Sequence, residues 1–410
     1  MVTDAFPFDL ALGQLRQRRS AKWRAVDPDV LPMWVAEMDL MPAPSVVEVL
    51  QAALARGDTG YSYGTEYAEA YAAFAADRWR FGGFEVARSA LVPDVMLGAV
   101  ELLKLVTGPG DAVVVTPPVY PPFYAFAEHL GRRVVEVPLT TGGRLDLPAL
   151  GGTFAAVGAH GPAAFLLCNP HNPTGTVHTA DELAEVAAAA DATGVRVIAD
   201  EIHAPLVLPG ATFTPYLAAD GADRGFALVS ASKAWNLPAL KAAVAFAGPG
   251  AADDLARLPE EVSHGPSHFG VLAHTAALRD GGGWLEEVLG GLDRNRTLLG
   301  ELLEAHLPMV SWRPGAATYL AWLDFGELAK AADGGGEGLR TARGDASTRV
   351  GVAAWLLEHA RVLLSSGPAF GPGCIRCARL NFATSATVLA EGVERMGDAI
   401  ARSSGSARSS

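Results

Sequence analysis

Short apolar runs alternate with helix-like segments through the middle of this chain, and this alternation restricts the fold more than any other feature. Six runs are predicted to be buried strands, at residues 112–115, 134–137, 163–168, 195–199, 226–229 and 243–247. Apolar strands separated by helices are typical of a mainly parallel sheet that is covered on both faces. The pattern therefore predicts an α/β fold, in which ligands bind at the carboxyl ends of the strands.

Capping signals predict where several of the intervening helices begin and end. Asp94 is the expected N-cap of a helix that runs to residue 106. Two capping boxes, in which a hydroxyl residue precedes a glutamate by three positions, predict helices that begin at Ser45 and at Thr179. Gly57 and Gly194 directly follow these two helical segments and are expected to end them.

The character of the chain changes after residue 284. Helical and strand-like segments then follow one another with a Gly-rich loop between them, at 285–307, 318–325, 333–338, 348–359, 362–364 and 379–382. This succession predicts a smaller α+β domain. We expect a large domain at 46–284, a small domain formed by 1–45 with 285–402, and a disordered serine-rich tail at 403–410.

Composition excludes several functional classes. The net charge is −13, and no basic face of the kind that binds nucleic acid is predicted. The first residues contain Asp4 and Asp9 without an apolar core, so no signal peptide is expected. The chain has no stretch of about 18 uncharged apolar residues, so no membrane span is expected, and a cytoplasmic protein is predicted. The three cysteines do not form a disulfide framework, and the lone pair Cys374 and Cys377 lacks the further ligands that a metal site needs.

Three polar side chains of different chemistry follow three of the predicted strands. Asn172 follows the run at 163–168, Asp200 follows the run at 195–199, and Lys233 follows the run at 226–229. Each of these side chains, taken alone, is common in loops and does not indicate a site. Because the carboxyl ends of parallel strands meet at one edge of a sheet, the amide, the carboxylate and the amine are together expected to form a site.

Five motifs around these residues resemble one enzyme family, over nearly the whole chain. They resemble the fold-type I pyridoxal-phosphate (PLP) enzymes of the aspartate aminotransferase superfamily, and within it the MalY/PatB branch of cystathionine β-lyases, or C–S lyases. The motifs lie at 32–39 (PMWVAEMD), 167–173 (LCNPHNP), 200–203 (DEIH), 232–236 (SKAWN) and 379–382 (RLNF). The resemblance implies an aspartate-aminotransferase-like fold and PLP as the cofactor.

The resemblance also implies the roles of the strand-end residues. Lys233 holds PLP as a Schiff base and, once substrate displaces it, removes the Cα proton. Asp200 keeps the pyridine nitrogen protonated, which makes the ring an electron sink. Asn172 contacts the phenolic oxygen of the ring. His203 stands where most aminotransferases of the superfamily have a tyrosine, a departure that is typical of the lyase branch.

The remaining expected site residues hold the phosphate, the ring and the substrate. A helix N-terminus binds phosphate through its free N–H groups, and hydroxyl and ammonium groups add to it. The candidates for the phosphate are Val95, Met96, Leu97, Ser230, Ser232 and Lys241, the last of which lies where many relatives have an arginine. By resemblance, Tyr120 stacks on the ring, Arg379 grips the substrate carboxylate in a bidentate manner, and backbone groups of Val35 and Ala36 meet the same carboxylate.

Tyr61 matches a tyrosine that reaches the site from a partner subunit, so the resemblance implies a homodimer with shared sites.

Three hypotheses of function remain. The first is a C–S β-lyase that splits cystathionine or a related S-substituted cysteine into a thiol, pyruvate and ammonia. The second is an aminotransferase with a 2-oxo acid acceptor, against which His203 argues. The third is a non-catalytic PLP-binding regulator, against which the retention of Lys233 and Arg379 argues. Glu37 and Arg24 depart from the branch pattern and leave the substrate open.

Overall fold

The computed structural model describes residues 6–326 and 351–406. The chain divides into two compact units. The large unit comprises Pro42–Asn172 and Thr176–Glu286, and the small unit comprises Met1–Met41, Pro173–Gly175 and Glu287–Ser410. Among the described residues no helix combines the length and the apolar composition needed to cross a bilayer.

The strands of the described residues are short. In chain order they are β1 Leu31–Pro32, β2 Ser89–Val92, β3 Ala112–Val115, β4 Arg133–Glu136, β5 Ala163–Cys168, β6 Arg196–Asp200, β7 Phe226–Val229, β8 Ala243–Ala247, β9 Ser311–Trp312, β10 Leu320–Asp324, β11 Val362–Leu363, β12 Ser365–Ser366 and β13 Cys377–Asn381.

The helices of the described residues range from single turns to a long helix that begins at Gly282. In chain order they are α1 Leu12–Leu15, α2 Ala21–Arg24, α3 Pro44–Arg56, α4 Glu66–Trp79, α5 Val95–Val106, α6 Pro122–His129, α7 Leu147–Gly158, α8 Ala180–Thr193, α9 Ala252–Leu255, α10 Glu260–Ser263, α11 His268–Asp280, α12 Gly282–His306, α13 Val352–Ala360 and α14 Ala386–Ser406.

The large unit is built on a seven-stranded sheet with the order β2-β8-β7-β6-β5-β3-β4. β8 runs antiparallel to both of its neighbours, and the other pairs are parallel. Every residue of β3, β5, β6, β7 and β8 is buried, as expected for strands of a sheet that is covered on both faces. The predicted α/β fold with a mainly parallel sheet is therefore confirmed.

Two apolar clusters cover the two faces of this sheet. Alternate residues of one strand contribute to opposite clusters: Val113 and Val115 join one, and Val114 joins the other. Helices α5 and α6 supply Leu102 and Phe123 to the first cluster, whereas α7 and α8 supply residues such as Phe154 to the second. The sheet is thus enclosed by helices on both sides, and its strand ends remain as the place for polar side chains.

Most of the predicted helix signals are confirmed, and one is wrong. Asp94 accepts the N–H of Leu97 at 2.8 Å, and Thr179 forms its capping box with Glu182. The capping box expected at Ser45 with Glu48 does not form, because Pro44 already occupies the first turn of α3 and Ala43 becomes the N-cap.

In the large sheet, two strands are shifted by one residue from the sequence prediction. β4 begins at Arg133 and ends before Val137, and β6 begins after Val195 and ends at Asp200. Val137 and Val195 are each only 4% exposed. Burial therefore extends past the strand bounds, and the N–H of Val137 still donates to the Val115 carbonyl at 2.9 Å. An apolar run alone does not mark where a strand ends.

The described part of the small unit forms two sheets. One is antiparallel with the order β12-β13-β10-β9, and the other is the parallel pair of β1 with β11. The predicted Gly-rich loop at 333–338 and the first residues of the predicted helix at 348–359 lie outside the described residues. Helix α14 continues to Ser406, into the segment that was predicted to be disordered from 403 onward, and 407–410 lie outside the described residues.

Candidate active site

Three loops leave the large sheet side by side at one edge. Cys168, the last residue of β5, pairs with Asp200, and Asp200 pairs with Leu228 near the end of β7. The segments that carry Asn172 and Lys233 therefore start on either side of Asp200. The amide, carboxylate and amine expected from the sequence come from three adjacent strand ends.

Asp200 is a buried carboxyl group, only 5% exposed. Burial raises its pKa to about 6, although a hydrogen bond from the N–H of Ile202 at 3.1 Å and the charge of Lys233 both lower it. The charge of Asp94 raises the pKa further. A carboxylate in this position is stabilised by an additional cationic group at the site.

The N-terminus of α5 lies at the same edge of the sheet. β2 pairs with β8 through Val92 and Ala243, and β7 pairs with β8 through Val229 and Val244, so β2 and β7 end on either side of the start of β8. Helix α5 follows β2 directly. A Cβ atom at Gly98 would lie 2.7 Å from a Leu228 methyl, so the glycine permits the close approach of α5 to β7.

The first turn of α5 contributes two of the three expected N–H donors. The N–H of Leu97 donates to the Asp94 carboxylate at 2.8 Å and is therefore already satisfied, contrary to its predicted role. The N–H groups of Val95 and Met96 belong to the first turn, where no acceptor exists within the helix. Lys241 forms an ion pair with Asp94 at 2.9 Å, which places its ammonium group at this helix start.

A tight turn carries Lys233 away from β7. The Ser230 hydroxyl donates to the Ala242 carbonyl at 2.8 Å and accepts the N–H of Ser232 at 3.1 Å. Because its proton is used by Ala242, Ser230 shapes the turn instead of offering a hydroxyl donor to a ligand, which corrects the role expected from the sequence. Ser232 and Lys233 are half-buried.

A buried Tyr–His pair, which the sequence did not indicate, supports this turn. The hydroxyl of Tyr67 on α4 accepts the N–H of Ala231 at 3.1 Å and lies 3.0 Å from Nδ1 of His274 on α11. Burial lowers the pKa of His274 to about 4, so the ring is neutral, and its tautomer decides which of the two groups donates this hydrogen bond. Residues 67, 231 and 274 are too far apart in the sequence for any local pattern to relate them.

Glu201 is a second buried carboxyl group next to Asp200, and its exposure is 0%. Its Oε1 accepts the N–H of Tyr216 at 2.6 Å and the Asn169 amide at 3.4 Å. Burial raises its pKa to about 8. Glu201 is therefore mainly neutral at pH 7 and links the loop after β5 to the loop after β6.

The other large-unit candidates occupy different environments. The N–H of Asn172 donates to Cys168 Sγ at 3.3 Å. His203 is buried at the start of the turn after Asp200. Tyr120 is half-buried and meets Phe123 edge to face, with ring centroids 6.1 Å apart. Among the described residues no group of His, Cys, Asp or Glu side chains is arranged to hold a metal ion.

Tyr61 lies on an exposed loop of the large unit. Its side chain is 85% exposed, and its ring centroid is 5.9 Å from that of His264. Tyr63, two residues later, is 96% exposed. This loop therefore presents two tyrosine rings to solvent.

The small unit brings together the three residues that were expected to bind a carboxylate. Arg379 is 6% exposed; its Nη2 donates to the Trp34 carbonyl at 3.0 Å and to Ser365 Oγ at 3.2 Å. The guanidinium lies over Phe370, 5.1 Å from the ring centroid. Val35 and Ala36 directly follow the Trp34 carbonyl. The guanidinium is thus anchored next to their peptide groups.

Comparison with known proteins settles the family. A family model described as aminotransferase class I and II matches residues 28–396. The chain belongs to this family. A Mycobacterium tuberculosis relative, provisionally named a cystathionine beta-lyase, is 58% identical over 396 residues, which cover 95% of this chain and 96% of the relative.

Two further members of the family are similar over nearly their full length. A Corynebacterium glutamicum protein named cystathionine beta-lyase is 34% identical, over 94% of this chain and 98% of that protein. A crystal structure from Corynebacterium diphtheriae, provisionally described as a PLP-dependent beta-cystathionase, matches with a TM-score of 0.84 and 31% identity, over 97% of this chain and 99% of that one. The aspartate-aminotransferase-like fold expected from the sequence is therefore confirmed.

Proposed function

We propose that this protein is a PLP-dependent carbon–sulfur β-lyase that cleaves cystathionine or a related S-substituted cysteine into a thiol, pyruvate and ammonia. The observation that carries the proposal is the identity of 58% over 95% of the chain with a relative named for this reaction. The residues at the strand ends of the large unit have the chemistry that such a reaction requires.

The large unit has groups that fit PLP. Asp200 is buried, its pKa is raised to about 6, and a protonated pyridine nitrogen is the type of cation that stabilises its charged form. The amine of Lys233 suits a covalent link to an aldehyde. The start of α5 suits a phosphate, since a helix N-terminus presents N–H groups and a positive dipole end. We assign Asn172, Tyr120 and His203 to contacts with the ring, in keeping with the family pattern.

The phosphate is assigned to four groups. The N–H groups of Val95 and Met96 and the hydroxyl of Ser232 act as donors, and Lys241 supplies charge. The existing ion pair of Lys241 with Asp94 offsets part of that charge, and an ammonium group lacks the bidentate fork of arginine. We therefore assign the larger part of phosphate binding to the helix start.

Bound PLP supplies an electron sink for the electron pair that remains when Cα loses its proton. The Lys233 amine takes that proton as general base and holds it for the departing group. Asp200 stabilises the positive charge opposite its carboxylate. Arg379 and the backbone of Val35 and Ala36 hold the substrate carboxylate, which is the part of the substrate that a guanidinium and peptide N–H groups recognise.

We further propose a homodimer in the cytoplasm. The exposed Tyr61 and Tyr63 support a subunit contact at their loop, and the family pattern assigns Tyr61 to the partner's site. The three cysteines are free thiols, in keeping with a reducing compartment.

The decisive experiment measures pyruvate formed from L-cystathionine by the purified yellow protein without any 2-oxo acid. We expect pyruvate and homocysteine in equal amounts, and none from the Lys233→Ala variant. Turnover that appears only when a 2-oxo acid acceptor is added would replace the lyase proposal with the aminotransferase alternative. The Lys233→Ala control excludes activity from free PLP or from a contaminant.

A further inference from the structure

Five consecutive backbone carbonyls of the small unit, those of Trp34 to Met38, each accept a hydrogen bond from a side chain elsewhere in that unit. We call residues 34–38 the anchored segment. The Trp34 carbonyl accepts from Ser365 and Arg379, and the Val35 carbonyl accepts from Asn381. The Ala36 carbonyl accepts from Tyr319. The Glu37 carbonyl accepts from Asn381 and Lys22, and the Met38 carbonyl accepts from Arg18. The segment belongs to no strand or helix, so these side chains fix its path in place of a ladder.

Asn381 makes the shortest of these contacts. It is completely buried, and its Nδ2 donates to the Val35 carbonyl at 2.7 Å and to the Glu37 carbonyl at 2.6 Å. Its Oδ1 accepts the N–H of Ala383 at 2.8 Å. Both amide hydrogens are therefore used. A side chain that replaced Asn381 would need two hydrogen-bond donors on one nitrogen to make the same contacts.

Fixing these carbonyls also orients the N–H groups of the anchored segment. In a planar trans peptide the C=O of one residue and the N–H of the next point in opposite directions. The Val35 carbonyl, held by Asn381 and by the N–H of Glu37 at 2.8 Å, therefore sets the direction of the Ala36 N–H. The Trp34 carbonyl, held by Ser365 at 2.8 Å, sets that of the Val35 N–H in the same way.

A buried ion pair holds the far end of the anchored segment. Lys22 and Asp39 are 1% and 2% exposed, and their charged atoms are 2.7 Å apart. Lys22 Nζ also donates to the Glu37 carbonyl at 3.2 Å, and Trp23 Nε1 donates to Asp39 at 2.9 Å. The Lys–Trp pair that precedes the first motif of the chain is thus tied to that motif directly.

We propose that Asn381 is a positioning residue that aims the N–H groups of Val35 and Ala36 at the α-carboxylate of the substrate. It acts through the backbone and does not touch the reacting atoms. The inference rests on the proposed function in one respect, the assignment of the carboxylate to Val35 and Ala36. It adds a residue whose effect falls on recognition of the carboxylate and not on PLP binding.

The test is a titration of the PLP-loaded enzyme with L-serine and with ethanolamine, which differ only in the carboxylate, followed by the visible absorbance of the cofactor. Asn381→Ala is expected to weaken L-serine binding by about 10- to 100-fold, the loss of one or two hydrogen bonds to a charged group, and to leave ethanolamine unchanged. The titration needs no turnover, so a failure of β-elimination and a failure of this inference are distinguishable.

Asn295→Ala is the matched control. Asn295 is 6% exposed, and its Nδ2 donates to the carbonyls of Phe382 and Thr384 at 2.9 and 2.7 Å, the same kind of contact outside the anchored segment. L-serine binding should be unchanged in this variant. If Asn381→Ala does not fold, Ser365→Ala is expected to act in the same direction by about 3- to 10-fold, because Arg379 still holds the Trp34 carbonyl. Equal weakening of both ligands by either test variant, or an equal loss in the control, overturns the proposal.

Discussion

The buried carboxyl group of Glu201 makes stability depend on pH in a direction opposite to that of most carboxyl groups. Its pKa rises from 4.5 in the unfolded chain to about 8 in the folded protein, because burial penalises the charged form. Between these two values the unfolded chain has released the proton and the folded protein keeps it. The contribution of Glu201 is therefore present at low pH and is lost as the pH rises toward 8.

The size of the effect follows from the pKa values. Each pH unit between them lowers the free energy of unfolding by about 1.4 kcal/mol, which amounts to about 3 kcal/mol between pH 5 and pH 7.5. Glu201→Gln removes the titration and keeps an oxygen for the N–H of Tyr216. The unfolding free energy of the variant relative to wild type should therefore increase by about 3 kcal/mol over that interval.

Urea unfolding at a series of pH values, followed by far-ultraviolet circular dichroism, measures this difference. Glu287→Gln on the exposed surface of α12 is the control, and its stability curve should run parallel to that of wild type. Parallel curves for Glu201→Gln and wild type would refute the reasoning, because they would mean that Glu201 is ionised in the folded protein or that its neighbourhood opens to water.

Three further predictions concern substitutions at Lys233, Asp200 and Gly98. Lys233→Ala should lose the visible absorbance of bound PLP and nearly all turnover while its circular dichroism stays that of wild type; retained absorbance would contradict the assignment. Asp200→Ala should still bind PLP but lose at least about 100-fold in turnover rate, and a rate near wild type would disprove the charge role of Asp200. Gly98→Ala should destabilise the protein by about 1–3 kcal/mol in thermal unfolding, because the added Cβ meets Leu228 at 2.7 Å. Gly151→Ala, in open space on α7, should instead stabilise it by about 0.5–1 kcal/mol, and equal effects of the two alanines would exclude the close approach as the cause.

The parts of the fold that depend on local sequence were predictable. Most positions of the central strands are apolar, and the N-termini of α5 and α8 carry side-chain caps, so hydrophobicity and capping were enough to place them. The direction of β8 was not predictable, because an apolar run has the same pattern in both directions. The false capping box at Ser45 shows that a local signal fails where an adjacent proline competes for the helix start.

The residues of the candidate site likewise fall into those that the sequence could place and those that it could not. Asn172, Asp200 and Lys233 follow strand ends, so their common location could be inferred from the order of the strands alone. Tyr67 could not be inferred, because its contact with Ala231 joins residues separated by 164 positions. Asn381 is part of a sequence motif, but the two carbonyls to which it donates lie more than 340 positions earlier in the chain. The motif therefore identified the residue but not its contacts.

The pairing of β1 with β11 has a consequence for the newly made protein. Leu31 pairs with Val362, roughly 330 residues later, so at about 5–20 residues per second the first strand leaves the ribosome some 15–65 s before its partner. Asn381, which holds Val35, is synthesised later still. The strands of the large sheet are all complete by Ala247. The segment 34–38 therefore obtains the side chain of Asn381 only after the whole large sheet has been synthesised.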